Sequence, residues 1–279
     1  MAENNETGGF LFSPRVAANF RFGEGEAVRA SLTRSYRTFS LLEANFNQAS
    51  RFEDGSPLDY RIVSTDDPDP ERLTTIELGY VAEFRPLGLA VDLRLYREEI
   101  RDSVAAPYDY AYPDPYSDVS WLWAVQGAFV YGNEAGADTR GLDVQVRWEP
   151  DRKSLVSLQY GYAETEGWVL KDLQERNTES LEDAVPRHTL SLLLSRKFDR
   201  DIQASAVVYY MSEMKWLGEG TRVDEYTRLD LRLSKGFHWG RNRGEIAFIA
   251  HNLLDDYNEF EKTTVFESRY FLQASLELD

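Results

Sequence analysis

Several features are absent from this sequence of 279 residues, and each absence excludes a class of protein or site. Without any cysteine, the chain has no disulfide, no thiolate nucleophile and no cysteine metal site. Basic residues are scarce: 31 Lys and Arg stand against 48 Asp and Glu, and the net charge of -17 argues against a nucleic-acid partner. No run of about eighteen apolar residues occurs, which excludes a transmembrane helix.

Aromatic residues, by contrast, are abundant. The chain has 16 Tyr, 15 Phe and 6 Trp, which together make up 13% of the residues. This content is high for a soluble enzyme and natural for a membrane β-barrel, which carries aromatic girdles at both interfaces. A barrel also gives a weak hydropathy signal, because its strands alternate apolar and polar residues.

Alternation with a period of two predicts about eleven strands. One example is the segment in which Leu142, Val144, Val146 and Trp148 alternate with Asp143, Gln145 and Arg147. Charged residues at mid-strand would each cost several kcal/mol in a protein core unless they were paired. The Leu/Val/Ala face is therefore the face that is buried or lipid-facing. A soluble antiparallel sheet with one face in water is the alternative, but the sequence supplies no clear amphipathic helix to cover it.

The connections between the predicted strands alternate between short and long. The short ones are Phe22–Glu26, Phe84–Gly88, Glu149–Lys153, Phe198–Asp201 and Gly236–Gly244. The long, polar ones are Tyr36–Glu71, Asp102–Ala137, Glu164–Arg187, Ser212–Asp224 and Asn252–Glu267. An outer-membrane barrel has this arrangement, with tight periplasmic turns and long external loops. We therefore predict an all-β, antiparallel, up-and-down transmembrane β-barrel, in a single domain that spans residues 1–279.

Short motifs follow one another in a fixed order along the chain. They are the segments 34–43 (RSYRTFSLLE), 71–79 (ERLTTIELG), 139–143 (TRGLD) after Asn133, 186–189 (PRHT), 250–257 (AHNLLDDY) and 268–271 (SRYF). Together these motifs span nearly the whole chain and resemble those of TonB-dependent outer-membrane receptors. The segment 250–257, for example, resembles the receptor signature N-L-F-D-x-x-Y, with Tyr257 one residue early.

The resemblance implies the C-terminal half of a barrel of about 22 strands, whose lumen is plugged by an N-terminal domain. It implies an outer-membrane receptor and transporter, not an enzyme, for a scarce nutrient such as an iron–siderophore complex. Residues 1–7 lack the cationic start and apolar stretch of a signal peptide, and bacterial single-chain barrels have even strand numbers. We therefore expect a fragment without the plug and the first half of the barrel.

The expected setting and partners follow from the same resemblance. The chain is expected in the cell outer membrane, in contact with its lipid and lipopolysaccharide. A metal chelate or a similar small molecule is the expected ligand, and TonB is contacted only through the missing N-terminal part. No cofactor is implied.

Two sets of candidate site residues emerge. Flat rings suit stacking on catecholate or other planar groups, so the first set comprises the loop aromatics Tyr108, Tyr110, Tyr112, Tyr116, Trp121 and Trp123. The alternative is a loop that packs on itself and on the girdle. The second set matches family motifs as strand and turn determinants: Arg140, Gly141, Asn252, Leu253 and Tyr257. Gly141 is expected to permit close backbone approach or a bulge.

No metal or catalytic site is predicted. His188, His238 and His251 lack metal-ligand spacing, and no nucleophile–base–acid constellation stands out. Two alternatives to the receptor remain on sequence grounds. One is a different outer-membrane barrel, such as a porin or an outer-membrane hydrolase, and the other is a soluble β-rich binding domain.

Overall fold

The computed structural model describes residues 2–5, 8–45, 47–51, 53, 57–64, 68–106, 108–109, 128–169, 182–216, 222–240, 242–259 and 263–277. The main sheet has eleven long strands on its path: β1 (Arg15–Gly23), β2 (Glu26–Arg37), β3 (Glu71–Phe84), β4 (Leu89–Ala105), β5 (Ala128–Trp148), β6 (Ser154–Val169), β7 (His188–Phe198), β8 (Ile202–Met211), β9 (Tyr226–Trp239), β10 (Asn242–His251) and β11 (Arg269–Glu277). Each strand pairs with the next along the chain, so the predicted antiparallel, up-and-down sheet is confirmed.

The sheet is open. In the described part of the chain, β1 and β11 are its two ends, and they do not pair with each other. Every residue of both strands is exposed. Such open edges are consistent with half of a larger barrel, because a closed barrel has no unpaired edge.

The short connections all lie at one end of the sheet, which we call the short-turn end. Between β3 and β4 the chain makes a 3-10 turn at Arg85–Leu87 and reverses at Gly88, whose φ is 61°. A side chain at Gly88 would also collide with the Glu149 carbonyl, because an added Cβ would lie 2.1 Å from that oxygen. The last short turn is tighter than expected: β9 extends to Trp239 and β10 begins at Asn242, so it does not span Gly236–Gly244.

Several strands extend further towards the other end, the long-loop end, than alternation predicts. The connection expected at Asp102–Ala137 is shorter, because β4 continues to Ala105 and β5 begins at Ala128. Likewise the connection expected at Glu164–Arg187 begins later, because β6 continues to Val169. The hydrogen-bonded ladder continues where the apolar alternation stops, so periodicity marks only the apolar part of each strand.

One face of the sheet is apolar across all the strands, and we call it the apolar face. A single row of paired residues on it comprises Phe20, Val28, Tyr80, Leu93, Val144, Tyr160, Leu190 and Tyr210. Large side chains on this face stand free, since Leu272 is 79% exposed and Val16 is 69% exposed. A continuous apolar surface of this size needs a cover such as lipid. The opposite, polar face carries the charged mid-strand residues.

Small elements lie at the long-loop end. They are the helix α1 (Leu41–Asn45) and the short strands Ala2–Asn5, Gly9–Phe12, Asn47–Arg51, Pro57–Ser64, Tyr108–Asp109, Met214–Lys215, Arg222–Val223, Tyr257–Asn258 and Val265–Phe266. Residues 62–64 pair in parallel with residues 129–131 of β5, so part of the first long loop folds back on the sheet. Among the described residues, no helix is long and apolar enough to cross a membrane.

Candidate functional site at the long-loop end and on the polar face

The loop aromatics proposed as ligand contacts lie mostly outside the described residues. Those outside the described residues are Tyr110, Tyr112, Tyr116, Trp121 and Trp123. The backbone of Tyr108 belongs to a short strand antiparallel to Ala128 and Phe129. This pairing ties the beginning of the aromatic loop to the start of β5 at the long-loop end.

Two of the family-like motifs meet at the base of the first long loop. Arg37, the last residue of β2, donates through Nε to Glu71 at 2.5 Å and through a terminal nitrogen to Glu43 at 3.1 Å. Glu71 begins β3, and Glu43 lies in α1. One guanidinium therefore joins β2 to the nearby helix α1 and to β3, which begins 34 residues further along the chain.

The helix α1 begins with a capping box. The N–H of Glu43 donates to Ser40 Oγ at 3.1 Å, and the N–H of Ser40 donates to the Glu43 carboxylate at 2.6 Å. This reciprocal pair satisfies N–H groups that the first turn of a helix leaves without partners. The spacing S-x-x-E at residues 40–43 is the sequence signal for this capping box.

Both carboxylates at this base are held ionised. Burial opposes ionisation of Glu43, but the Ser40 N–H and the Arg37 guanidinium outweigh it and lower the pKa of this carboxyl. Burial likewise opposes ionisation of Glu71, where Arg37, the N–H of Val104 and the hydroxyl of Ser103 lower the pKa. We call Arg37, Glu43, Glu71 and Ser103 the loop-base cluster.

Asn133 makes a second connection nearby. Its Nδ2 donates to the carbonyls of Asp69 at 2.8 Å and Asp102 at 2.5 Å, and its Oδ1 accepts from the N–H of Asp69 at 2.6 Å. The side chain thus fastens the end of the first long loop and the end of β4 to β5. Asp102 itself has a φ of 57°, a left-handed conformation at the point where β4 and β5 shift register.

Asn252 holds together the base of the last long loop. It is 3% exposed and has a φ of 52°. Its N–H donates to Asp230 at 2.9 Å, its Nδ2 donates to the carbonyl of Phe266 at 2.8 Å, and its carbonyl accepts from the hydroxyl of Ser268 at 2.5 Å. The next residue, Leu253, donates its N–H to the carbonyl of Leu229 at 2.9 Å. These contacts fasten both ends of the loop to β9.

Tyr257 packs inside that same loop and is 6% exposed. Its ring stacks on Tyr226 with centroids 4.2 Å apart and on Phe266 at 5.2 Å. Its hydroxyl accepts from Arg228 at 3.3 Å and donates to Glu259 at 3.2 Å. With both ring faces covered, Tyr257 orders the loop and leaves no open face for a ligand.

Arg140 and Gly141, adjacent on β5, lie on opposite faces. Arg140 is on the apolar-face side, beyond the last apolar residue, and pairs with Glu166 at 2.8 Å and Glu164 at 3.2 Å. Gly141 is on the polar face directly opposite Tyr96. An added Cβ at residue 141 would lie 2.2 Å from Cζ of that ring and 2.6 Å from the carbonyl oxygen of Tyr162, so a side chain and the neighbouring backbone both approach closely.

A network of ion pairs crosses the polar face, with Arg94 of β4 at its centre. Arg94 donates to Glu77 of β3 at 2.6 Å and to Asp143 of β5 at 3.1 Å, and Ser31 of β2 donates to Glu77 at 2.7 Å. Four neighbouring strands are therefore joined by side chains as well as by the backbone. The charges of Arg94, Glu77 and Asp143 are therefore paired, which offsets the cost of removing them from water.

Arg29 extends the network along β2. It reaches Asp92 at 2.7 Å by lying across Gly79, where an added Cβ would be 2.4 Å from its Nε. Near the centre of the sheet, the polar face also has a groove of about 520 Å³, lined in part by Asp143, Gln145 and Thr189. A groove of this volume can accept a small polar molecule. In the part of the chain that the structure describes, no group of three or more His, Asp or Glu residues is arranged to hold a metal ion.

Comparisons with known proteins agree with this architecture. A family model described as "TonB dependent receptor-like, beta-barrel" matches residues 2–253. A search of curated proteins found no significant match.

Similar solved structures include the ferric-catecholate import receptor Fiu from Escherichia coli K12, at 16% identity and a TM-score of 0.66, with 96% of this chain and 35% of that chain covered. A mutant of the ferric enterobactin receptor PfeA from Pseudomonas aeruginosa, in complex with enterobactin, is 16% identical with a TM-score of 0.66, and the match covers 99% of this chain and 41% of that chain. The siderophore receptor PirA from the same organism is 15% identical with a TM-score of 0.65, and the match covers 99% of this chain and 44% of that chain.

The chain thus spans between about a third and less than half of the length of these receptors. At such low identity the structures support the fold alone, whereas the family model covers most of the chain. Sheet topology, apolar face and family match agree. The chain belongs to the family of TonB-dependent receptor β-barrels.

Proposed function

We propose that this chain forms part of an outer-membrane receptor that takes up an iron–siderophore complex with energy delivered through TonB. The observation that carries the proposal is the division of the sheet into an apolar face and a polar face with paired charges. Such a sheet has one surface for lipid and another for a water-filled or plugged lumen. The similar receptors, whose names state ferric catecholate, enterobactin or siderophore as ligands, support the choice of cargo.

Transport requires the open sheet to be closed by further strands. In an up-and-down sheet of eleven strands, β1 and β11 run in the same direction. A segment that pairs antiparallel with both must begin and end with strands of the opposite direction, and therefore has an odd number of strands. A second copy of this chain does not meet this condition, because its β1 would lie parallel to β11 of the first copy. We likewise propose that contact with TonB is made by a segment other than residues 1–279.

Ligand binding tests the cargo. The purified chain, folded in detergent together with a segment that closes the sheet, is dialysed against radioactive ferric enterobactin, a ferric hydroxamate or cobalamin. We expect saturable binding of the ferric catecholate only. Replacing Tyr110, Tyr112 and Tyr116 by alanine should weaken it by roughly tenfold or more, because stacked rings each contribute about 0.5–1.5 kcal/mol.

The matched control is Phe198→Ala, which removes an exposed ring at the short-turn end of β7. Its affinity for ferric enterobactin should equal that of the unchanged protein. Preferential binding of cobalamin or of the ferric hydroxamate would contradict a ferric catecholate as the transported ligand. Equal binding of all three probes would contradict a specific receptor.

A further inference from the structure

On the apolar-face side, the change from apolar to charged residues is abrupt. Along β4 the outward positions are Leu93 and Leu95 and then Arg97 and Glu99; along β5 they are Val144 and Leu142 and then Arg140 and Asp138. The register shows no irregularity between these positions, so the charged residues share the face with the apolar ones. Alternate residues are about 7 Å apart along a strand. The first charged row therefore lies about 7 Å beyond the last apolar row. If the apolar part spans the hydrocarbon layer, this row lies at the depth of the lipid headgroups.

Within that row two arginines oppose each other. Arg97 and Arg140 are direct cross-strand partners, and their side chains are 60% and 63% exposed. Like charges placed directly opposite destabilise a sheet unless something between them carries the opposite charge. We call Arg97 and Arg140 the arginine pair.

The carboxylates that contact the arginine pair lie around it. Arg97 pairs with Glu99 at 3.1 Å and with Asp138 at 4.0 Å, and Arg140 pairs with Glu164 and Glu166 at 3.2 and 2.8 Å. Glu99, Asp138 and Glu166 belong to the next row of the sheet, further from the apolar part, and Glu164 belongs to the next strand. These exposed ion pairs contribute little and can yield to a stronger acceptor. A phosphate accepts from two guanidinium groups at once and suits a pair of arginines better than separate carboxylates do.

We propose that Arg97 and Arg140 together bind the phosphate group of a lipid in the external leaflet of the outer membrane. The acyl chains of that lipid would lie on the adjoining apolar residues, which include Leu95 and Leu142. The inference depends on lipid contact with the apolar face and is independent of the cargo. Its consequence is a fixed depth of the sheet in the membrane, because the phosphate lies at a defined level.

The test measures lipid binding by the folded chain in uncharged detergent micelles. The probes are diphosphoryl lipid A, the same lipid with its phosphates removed, and inorganic phosphate alone. We expect diphosphoryl lipid A to bind at least about tenfold more tightly than the dephosphorylated lipid, the ratio that one charge-assisted hydrogen bond supplies. This comparison uses the unchanged protein, so it does not depend on how any variant folds.

Two variants then locate the site. Arg97→Gln and Arg140→Gln should each reduce binding of diphosphoryl lipid A by about tenfold, and the double variant should lose less than the product of the two effects, because both groups hold one phosphate. The matched control is Arg196→Gln, which removes an arginine that is 58% exposed at the short-turn end of β7, on the same face. That variant should bind as the unchanged protein does.

The results separate the alternatives. Equal binding of lipid A with and without phosphate would overturn the proposal. So would an equal loss in Arg196→Gln, which would indicate general attraction between charges. If inorganic phosphate at the same concentration as diphosphoryl lipid A displaced that lipid, the arginine pair would be a site for free phosphate. This result would contradict a lipid site.

Discussion

Tyr96 lies against Gly141 on the polar face, where the two residues are direct partners of β4 and β5. The glycine leaves room for the ring, and the Arg94 guanidinium lies over that ring, 4.6 Å from its centroid. An aromatic side chain that covers a cross-strand glycine restores packing at a position where the strand is otherwise weak. The pair thus supports the centre of the ion-pair network.

Gly141→Ala should destabilise the sheet by about 1–3 kcal/mol, the usual cost of overpacking. The new Cβ would lie 2.2 Å from the Tyr96 ring and 2.6 Å from the carbonyl oxygen of Tyr162. The free energy of unfolding in urea, measured in micelles, checks this. Gly161→Ala is the control, because its nearest neighbour is the Thr189 hydroxyl, which can rotate away. In a Tyr96→Ala background the cost of Gly141→Ala should fall; an unchanged cost would contradict the role of the ring.

Arg94→Gln should lower the free energy of unfolding by about 1–2 kcal/mol, between the values for exposed and buried ion pairs. The substitution removes the cation that Glu77 of β3 and Asp143 of β5 share. Arg147→Gln serves as the control, since Arg147 lies on the same face and, among the described residues, forms its ion pair with Glu149, two residues away on the same strand end. Equal effects of the two substitutions would mean that joining strands through Arg94 adds nothing.

The loop-base cluster should loosen in acid. Glu43 and Glu71 have lowered pKa values when folded, so their contribution is present above the unfolded glutamate pKa of about 4.3. It is lost as the pH falls through the folded values. The protection of the amides of residues 38–45 against hydrogen exchange, relative to the intrinsic rate at each pH, should therefore fall below about pH 4.3. Arg37→Gln should shift this loosening to higher pH, whereas Glu149→Gln at the short-turn end should not.

Asn252 combines a backbone role with a side-chain role, and two substitutions separate them. Asn252→Ala loses the side-chain bond to Phe266 and must also hold a left-handed φ, at a combined cost of about 2–3 kcal/mol. Asn252→Gly tolerates that φ and should cost about 1 kcal/mol, the bond alone. Urea unfolding of both variants measures the difference. A glycine variant as unstable as the alanine variant would contradict the backbone role.

The sequence predicted the strand number, the short-turn end and the face on which each apolar residue lies. These features follow from period-two alternation, which survives wherever one face meets an apolar surface and the other does not. The end of β4 after residue 101 and the beginning of β5 before residue 138 were missed, because these residues show no regular period-two alternation although they remain in the ladder.

The contacts of the candidate site were harder to predict. The family-like motifs marked Arg140, Gly141, Asn252, Leu253 and Tyr257, but nothing in one sequence pairs Arg37 with Glu71 across 33 intervening residues. Such contacts depend on register, which single-strand periodicity does not specify. Arg29 and Gly79 illustrate the same point. Neither residue is distinctive in the sequence, but they are cross-strand partners, and the glycine leaves room for the arginine side chain. The ligand role of Tyr108, Tyr110, Tyr112, Tyr116, Trp121 and Trp123 stays a prediction.

We propose above all that the apolar face meets outer-membrane lipid while the polar face lines the lumen. The chain has no cysteine, so single cysteines placed on β7 report their own surroundings. In isolated outer membranes, a water-soluble maleimide should label Ser191→Cys and Ser195→Cys on the polar face and leave Leu192→Cys and Leu194→Cys unlabelled until detergent removes the lipid. Equal labelling of all four positions before detergent is added would contradict the account.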